Sequence, residues 1–247
     1  RIATSGRPGP VVIDVPKDIQ LAEIEFNAWP APGRPAPLPQ ADLGELRQAA
    51  EMIDRAKRPV LYIGGGIVAS GASGYVRTLA EHGSIPVTTT LMGLGALPTD
   101  HALYTGMLGM HGARCTNMAL EECDLLIAAG VRFDDRATGR LDAFCPQAEV
   151  LHIDIDPCEL DKIRPAHHGI VADASAALEA LARLIEPDER PGWIARIGEL
   201  KREEGLHMPG LDDPFSPYGL IAHAARAMDG NEIVVTDVGL HQMWAAH

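Results

Sequence analysis

Pro59-Val60-Leu61-Tyr62-Ile63-Gly64-Gly65-Gly66 (PVLYIGGG) is a short apolar run that breaks into three glycines. An unbroken β-rich run of this length reads as a strand covered on both faces, as in a parallel sheet. A strand that turns through glycines lets backbone approach a pyrophosphate closely, with helix N–H groups aimed at it. With Ala69 the spelling fits G-x-G-x-x-A. A plain tight turn explains the triplet equally well, and both readings stand. A nicotinamide dinucleotide site is disfavoured. The next strand, VTT, runs into Thr90, Leu91 and Met92 and offers no acid to hold a ribose.

Moving outward, the chain alternates. Strands are expected at Val87–Thr89, Leu125–Ala129, Val150–Ile153 and Ile170–Ala172, with helices at Gly71–Glu81, Thr116–Glu122, Pro157–Lys162 and Ala174–Ile185. Strands separated by helices predict an α/β fold, with a central, open, mostly parallel sheet and helices on both faces. A helix also starts at Asp42, with Glu45 as its capping-box partner and Leu43, Leu46, Ala50 and Ile53 on one face. Pro10–Val15 (PVVIDV) reads as a further strand, and the proline-rich stretch Asn27–Gln40 as an extended linker. Beyond Pro187 come a helix at Trp193–Glu204, a second opened by Ser216-Pro217 and running to about Met228, and a strand at Asn231–Asp237. These divide the chain into residues 1–26, a linker over 27–41, a central domain over 42–187 and the start of another α/β domain over 188–247. Arg1 in place of Met, and a chain that stops in mid-pattern, read as a piece of a longer protein.

Several polar or glycine clusters follow strands. They are Leu108-Gly109-Met110-His111-Gly112, then Gly130-Val131-Arg132-Phe133-Asp134-Asp135-Arg136, Asp154 in HIDID, and Asp173 in VAD. In an open α/β sheet, ligands bind beyond the carboxyl ends of the strands. Arg suits a carboxylate or phosphate through its planar fork, and a strand-end Asp can hold ribose hydroxyls. Each cluster also has a structural reading. LGMHG is then a surface loop, the Arg/Asp set a capping network, and Asp173 a helix N-cap. Their common position on one rim favours a nucleotide-like cofactor lying along it.

Composition removes other classes. The net charge is -13, with 34 acidic and 21 basic residues and no basic cluster, so nucleic-acid binding is excluded as a function. No apolar run is long enough to span a membrane. Hydrophobic residues, at 46%, suffice for a core. Cys115, Cys123, Cys145 and Cys158 have neither CxxC nor zinc spacing and read as free thiols in a reducing cytoplasm. No hydrolase elbow, HExxH or Walker A motif is present.

Taken in order, SGRPGPVVIDVPKDIQ, PVLYIGGG, TLMGLGALP, LGMHG, GVRFDDRATG, HIDID and TDVGLHQMWAA resemble the catalytic large subunits of acetohydroxyacid (acetolactate) synthases, thiamine-diphosphate enzymes, over essentially the whole chain. The resemblance implies a Rossmann-like central domain that binds FAD with no redox role in the net reaction. It puts FAD against Arg7, Gly65, Gly66, Thr90, Leu91 and Met92, against Leu108, Gly109, Met110 and His111, and against Gly130, Arg132, Asp134, Asp154, Ile155 and Asp173. It gives Arg136 the carboxylate of the second 2-oxoacid and places Lys17 and Asp135 along the substrate channel. Val238, Gly239 and His241 would meet thiamine diphosphate, whose Mg²⁺ motif and activating glutamate are not among these residues. Leu240 stands where the family pattern VGQHQMW has Gln, and cannot make that hydrogen bond. The implied reaction decarboxylates pyruvate and condenses it with a second pyruvate or 2-oxobutyrate, in branched-chain amino-acid synthesis. The implied assembly is a homodimer or homotetramer with a small regulatory subunit, and these residues alone are expected to be inactive. A stand-alone FAD- or nucleotide-binding module and a related carboligase, of the glyoxylate type, are the competing readings.

Overall fold

The structure is a computed structural model that describes residues 1–228 and 233–247. In chain order its helices are α1 (Lys17–Leu21), α2 (Leu43–Arg55), α3 (Gly65–Ser70), α4 (Ser73–Gly83), α5 (Arg114–Glu122), α6 (Asp135–Thr138), α7 (Ala174–Leu184), α8 (Pro191–Glu204), α9 (Pro217–Ala227) and α10 (Leu240–Ala245). The strands are β1 (Pro59–Ile63), β2 (Val87–Thr89), β3 (Tyr104–Met107), β4 (Leu125–Ala129), β5 (Glu149–Asp154) and β6 (His168–Val171).

All six strands are parallel, in the order β3-β2-β1-β4-β5-β6. The chain steps outward from β1 to β3, returns to β4 beside β1, and steps outward again to β6. The direction of winding therefore reverses between β1 and β4, and in an open α/β sheet that reversal leaves a crevice beyond the strand ends.

Side-chain alternation explains the two layers. Leu61 and Ile63 of β1 pack into a core shared with α2, α4 and α7, whereas Val60 and Tyr62 face a core shared with α5 and α8. Every residue of β1 and β4 is buried, as strands covered on both faces require. The capping box of α2 forms as expected, with Gly44 N–H donating to Asp42 Oδ1 at 2.7 Å and Asp42 N–H to Glu45 Oε2 at 3.1 Å. Arg190 ties helix ends together. Its buried guanidinium donates to Ile53 O at 2.7 Å, to Ala56 O at 3.2 Å and to Gly83 O, satisfying carbonyls at the C-termini of α2 and α4.

The structure departs from the sequence expectations at definite places. An extra strand, β3, lies at the sheet edge. It contains Gly106 at φ +101 and its pairing with β2 shifts register, so its four residues carry little strand signal in the sequence. The helix expected over Gly71–Glu81 is α4, which starts at Ser73; Gly71 (φ +68) instead caps α3, a short helix before it that the sequence reading did not include. Pro157–Lys162 is a set of turns, because Asp161 sits at φ +59, which a right-handed helix does not admit. Pro10–Val15 has no regular structure, and Val12 and Ile13 are exposed. A strand needs a neighbour to hold its ladder, and the described residues provide none there. In the strand expected at Asn231–Asp237, Asn231 and Glu232 lie outside the described residues, and 233–237 are exposed without a ladder.

No helix among the described residues is long and apolar enough to cross a membrane.

Candidate functional site

A cavity of about 1150 Å³ opens beyond the C-terminal ends of the strands, at the switch point between β1 and β4. That is above the roughly 300–1,000 Å³ usual for small-ligand pockets.

Its floor is made where two turns touch. Gly66 N–H donates to Gly130 O at 3.1 Å, and a Cβ on Gly66 would lie 2.6 Å from Gly130 Cα. Gly130 itself is at φ +61. The turn after β1 and the turn after β4 therefore approach backbone to backbone, and side chains are excluded from both. Gly65 is looser, with only the Met92 side chain within 3.2 Å of its would-be Cβ. Of the two readings of the triplet, the tight-turn reading accounts for Gly66, while Gly65 is left open to the cavity.

The turn after β4 then presents alternate residues. Val131 and Phe133 point inward and are buried; Arg132 and Asp134 are exposed at the cavity. Phe133 sits at φ +52, which is strained for a non-glycine residue. Its ring is held by edge contacts with Tyr62 (5.8 Å), Phe144 (6.3 Å) and His152 (5.0 Å). His152 Nε2 donates to Val131 O at 3.1 Å, and burial pushes its imidazole below the usual histidine range. This apolar cluster fixes the turn that carries the charges. Asp134 Oδ1 takes the Arg136 N–H at 3.0 Å and caps α6, and Arg132 lies 3.7 Å from Asp134 Oδ2.

Asp154 ends β5 at the cavity wall. It is buried, accepts the Asp156 N–H at 2.9 Å, and burial pushes its carboxyl above the usual range. Asp173 also lines the wall and caps α7 through Ala176 N–H at 3.1 Å. From outside the sheet, residues 6–8 close one side, and Val238, Gly239, Gln242, Met243 and Ala246 close another.

Of the residues singled out in the sequence, Arg7, Gly65, Gly66, Thr90, Leu91, Met92, Leu108 and His111 line this one cavity, as do Gly130, Arg132, Asp134, Arg136, Asp154, Ile155 and Asp173. Gly109 and Met110 do not. Gly109 (φ +92) packs against Arg136 O, which accepts the Met110 N–H at 2.9 Å, so this turn faces α6. Lys17, Asp135 and His241 are exposed away from the wall. The sequence reading missed Tyr62, Met107 and Gln242. Tyr62 is hidden inside an apolar strand, where nothing in the spelling separates it from core.

The wall suits a large ligand with polar groups. The hydroxyls of Tyr62 and Thr90 are buried without a hydrogen-bond partner, and burial raises the Tyr62 phenol above its usual range, leaving it a neutral donor. Guanidinium groups at Arg7, Arg132 and Arg136 suit anions, and the carboxyls at Asp154 and Asp173 suit hydroxyls. These residues fit a dinucleotide such as FAD. Among the described residues no three His, Cys, Asp or Glu side chains gather as a metal site. Cys115, Cys123 and Cys145 are buried and Cys158 is exposed, all as free thiols.

Comparison with known proteins agrees with this architecture. Residues 46–181 match the family model described as thiamine pyrophosphate enzyme, central domain. The chain is 50% identical over 246 residues to the acetolactate synthase isozyme 1 large subunit of Escherichia coli (strain K12), covering 100% of this chain and 43% of that protein. It is 44% identical over 261 residues to a probable acetolactate synthase large subunit of Methanocaldococcus jannaschii, covering 100% of this chain and 44% of that protein. It is 42% identical over 256 residues to acetolactate synthase 1, chloroplastic, of Zea mays, covering 99% of this chain and 40% of that protein. The chain thus spans less than half the length of these relatives. With a sheet of this order and a family model matched over more than half of the chain, the chain belongs to the thiamine pyrophosphate enzymes, and it is similar from end to end to acetolactate synthase large subunits.

Proposed function

We infer that the chain is the FAD-binding part of an acetolactate synthase large subunit. The whole protein decarboxylates pyruvate and condenses it with a second pyruvate or with 2-oxobutyrate. The observation that carries this reading is the cavity at the β1–β4 switch point, which gathers rim residues from β1, β2, β4 and β5 in a chain similar throughout to acetolactate synthases. Thiamine diphosphate, with Mg²⁺, supplies the carbon–carbon chemistry when bound in the whole protein.

The chain's own residues bind and orient. Gly66 and Gly130 hold the floor closed, and Gly65 leaves room for a phosphate to approach backbone. Arg132 offers a planar fork to anions, and Asp154 offers a carboxylate to ribose hydroxyls. Arg136, exposed at the cavity edge, offers its guanidinium to a 2-oxoacid carboxylate, and Lys17 and Asp135 are assigned to the substrate channel on the family resemblance alone. Gly109 and Met110 support this wall from behind. Val238 and Gly239, on the cavity wall, are assigned to the diphosphate of thiamine diphosphate, and His241 with them. Leu240, which has no hydrogen-bonding group, weakens that contact. We assign residues 42–187 to the FAD-binding unit. Residues 1–26, 27–41 and 188–247 belong to the preceding domain, the linker and the following domain. The working protein is a cytoplasmic homo-oligomer with a small regulatory subunit.

The test is an absorbance spectrum of the 247-residue chain after mixing with FAD and desalting. Retention of about one flavin per chain is expected. A colourless protein at saturating FAD overturns the assignment of the cavity.

A further inference from the structure

Glu159 lies in the turns after β5, and its side chain is 5% exposed. Its Oε1 accepts from Arg7 Nη1 at 2.8 Å and from Lys162 Nζ at 3.1 Å, whereas its Oε2 is buried with no hydrogen-bond partner. A carboxylate taken out of water this far depends on its cations, because losing one leaves a desolvated charge uncompensated. The dependence is mutual. Arg7 is 44% exposed and belongs to a stretch, residues 5–9, without helix or strand. Such a side chain is free to sample many rotamers unless something holds it.

Residues 6–8 run along one side of the cavity as a strap, turning at Gly6 (φ +57), and form part of its wall. One end is tied to the linker by Ala36 N–H donating to Ser5 Oγ at 2.9 Å. Arg7 to Glu159 is the tie on the other side. Only one of the three guanidinium nitrogens is used in it.

We propose that Glu159 is a positioning residue: it fixes Arg7, and with it the strap, against the cavity so that the guanidinium is presented to an anionic group of the bound dinucleotide. This rests on the cavity being a dinucleotide site. A side chain immobilised before binding spares the ligand part of the ordering cost, which for one long side chain corresponds to about tenfold in affinity.

Two readouts on the 247-residue chain test it. The first needs no ligand. Glu159→Gln keeps the shape and removes the charge, and amide hydrogen exchange over residues 1–9 is expected to quicken while β1 and β4 exchange as before. The second is titration with FAD, followed by quenching of flavin fluorescence. Glu159→Gln is expected to weaken binding about tenfold in the wild-type background and to add nothing in an Arg7→Met background. Unchanged exchange in Glu159→Gln overturns the tie. Equal loss in both backgrounds, or no loss in either, overturns the positioning role. A wild-type chain that does not take up FAD overturns the dinucleotide reading and the presentation of Arg7 to it, while the exchange rates still decide whether Glu159 holds the strap.

Discussion

Replacing Gly66 with alanine separates the two physical roles of the glycine triplet. A Cβ there would lie 2.6 Å from Gly130 Cα and 3.1 Å from Gly130 O. Both atoms are backbone, and that carbonyl already accepts the Gly66 N–H, so neither can swing aside. Helix α3 must lift off the turn after β4. Overpacking of this kind costs about 1–3 kcal/mol. Exchanging a helical glycine for alanine returns about 0.5–1 kcal/mol. Taking the middle of each range, a net loss of about 1 kcal/mol remains, which lowers Tm by about 2–4 °C in a chain of this size. Gly65→Ala is the control. Its Cβ would meet Met92 Cβ at 3.2 Å, so the exposed turn that carries Met92 need give by only a few tenths of an ångström, far less than Gly66 would demand of Gly130. Its ligand-free Tm should stay near that of the wild type, while FAD binding weakens because the methyl group occupies the cavity. Calorimetry of both ligand-free variants, followed by flavin titration, makes the comparison. A Gly66→Ala protein as stable as the wild type would refute the view that the Gly66–Gly130 contact is what demands glycine.

Arg190→Met leaves the carbonyls of Ile53, Ala56 and Gly83 without their buried donor and should cost about 3–5 kcal/mol. Urea unfolding should show a lower midpoint with an unchanged slope, and a midpoint like that of the wild type would sink this view of the clamp. Asp154→Asn should stabilise the ligand-free protein at neutral pH and weaken FAD binding about tenfold by changing a ribose acceptor. The sign follows from burial: the folded pKa is raised, so the ionised form carries a penalty above it that is lost as pH falls through the folded pKa towards the unfolded value near 3.8. The stability gap between variant and wild type should therefore close on acidification, and a gap that widened would contradict the assignment.

Much of the sheet is legible in the sequence because its two central strands, β1 and β4, are short, wholly apolar and followed by glycine. β2 and β5 carry polar residues but are marked by β-branched or apolar runs between helices. β3 cannot be read in this way, because Tyr104–Met107 is only half covered at the edge and carries a glycine at positive φ. Pro10–Val15 fails in the opposite direction. Its composition suits a strand, but composition does not provide the neighbour to which a strand must bond. The cavity is legible only in outline. Residues at strand ends can be picked out one by one, yet their distances follow from the strand order, which alternation alone does not determine. Tyr62 and Glu159 escape notice for the same reason: nothing local distinguishes a buried hydroxyl or carboxylate at a wall from any other.

The capping and ligand readings of the rim carboxylates, which look like alternatives in the sequence, are compatible in the structure. Asp134 and Asp173 each commit Oδ1 to a backbone N–H at the start of a helix. That bond fixes the orientation of the carboxylate at the cavity wall. A carboxylate has two oxygens and about four lone-pair sites, so a cap uses only part of its capacity. The cap is thus what holds the remaining oxygen in place. An acid without that anchor would have to lose rotamer freedom when a ligand bound, and would hold it less tightly. Phe133 serves the same end from below. Its strained backbone is held by three aromatic neighbours, and its burial forces Arg132 and Asp134 outward on either side. The site therefore owes part of its geometry to groups behind its wall, and substitutions at Phe133 or Phe144 should disturb binding before they disturb the sheet.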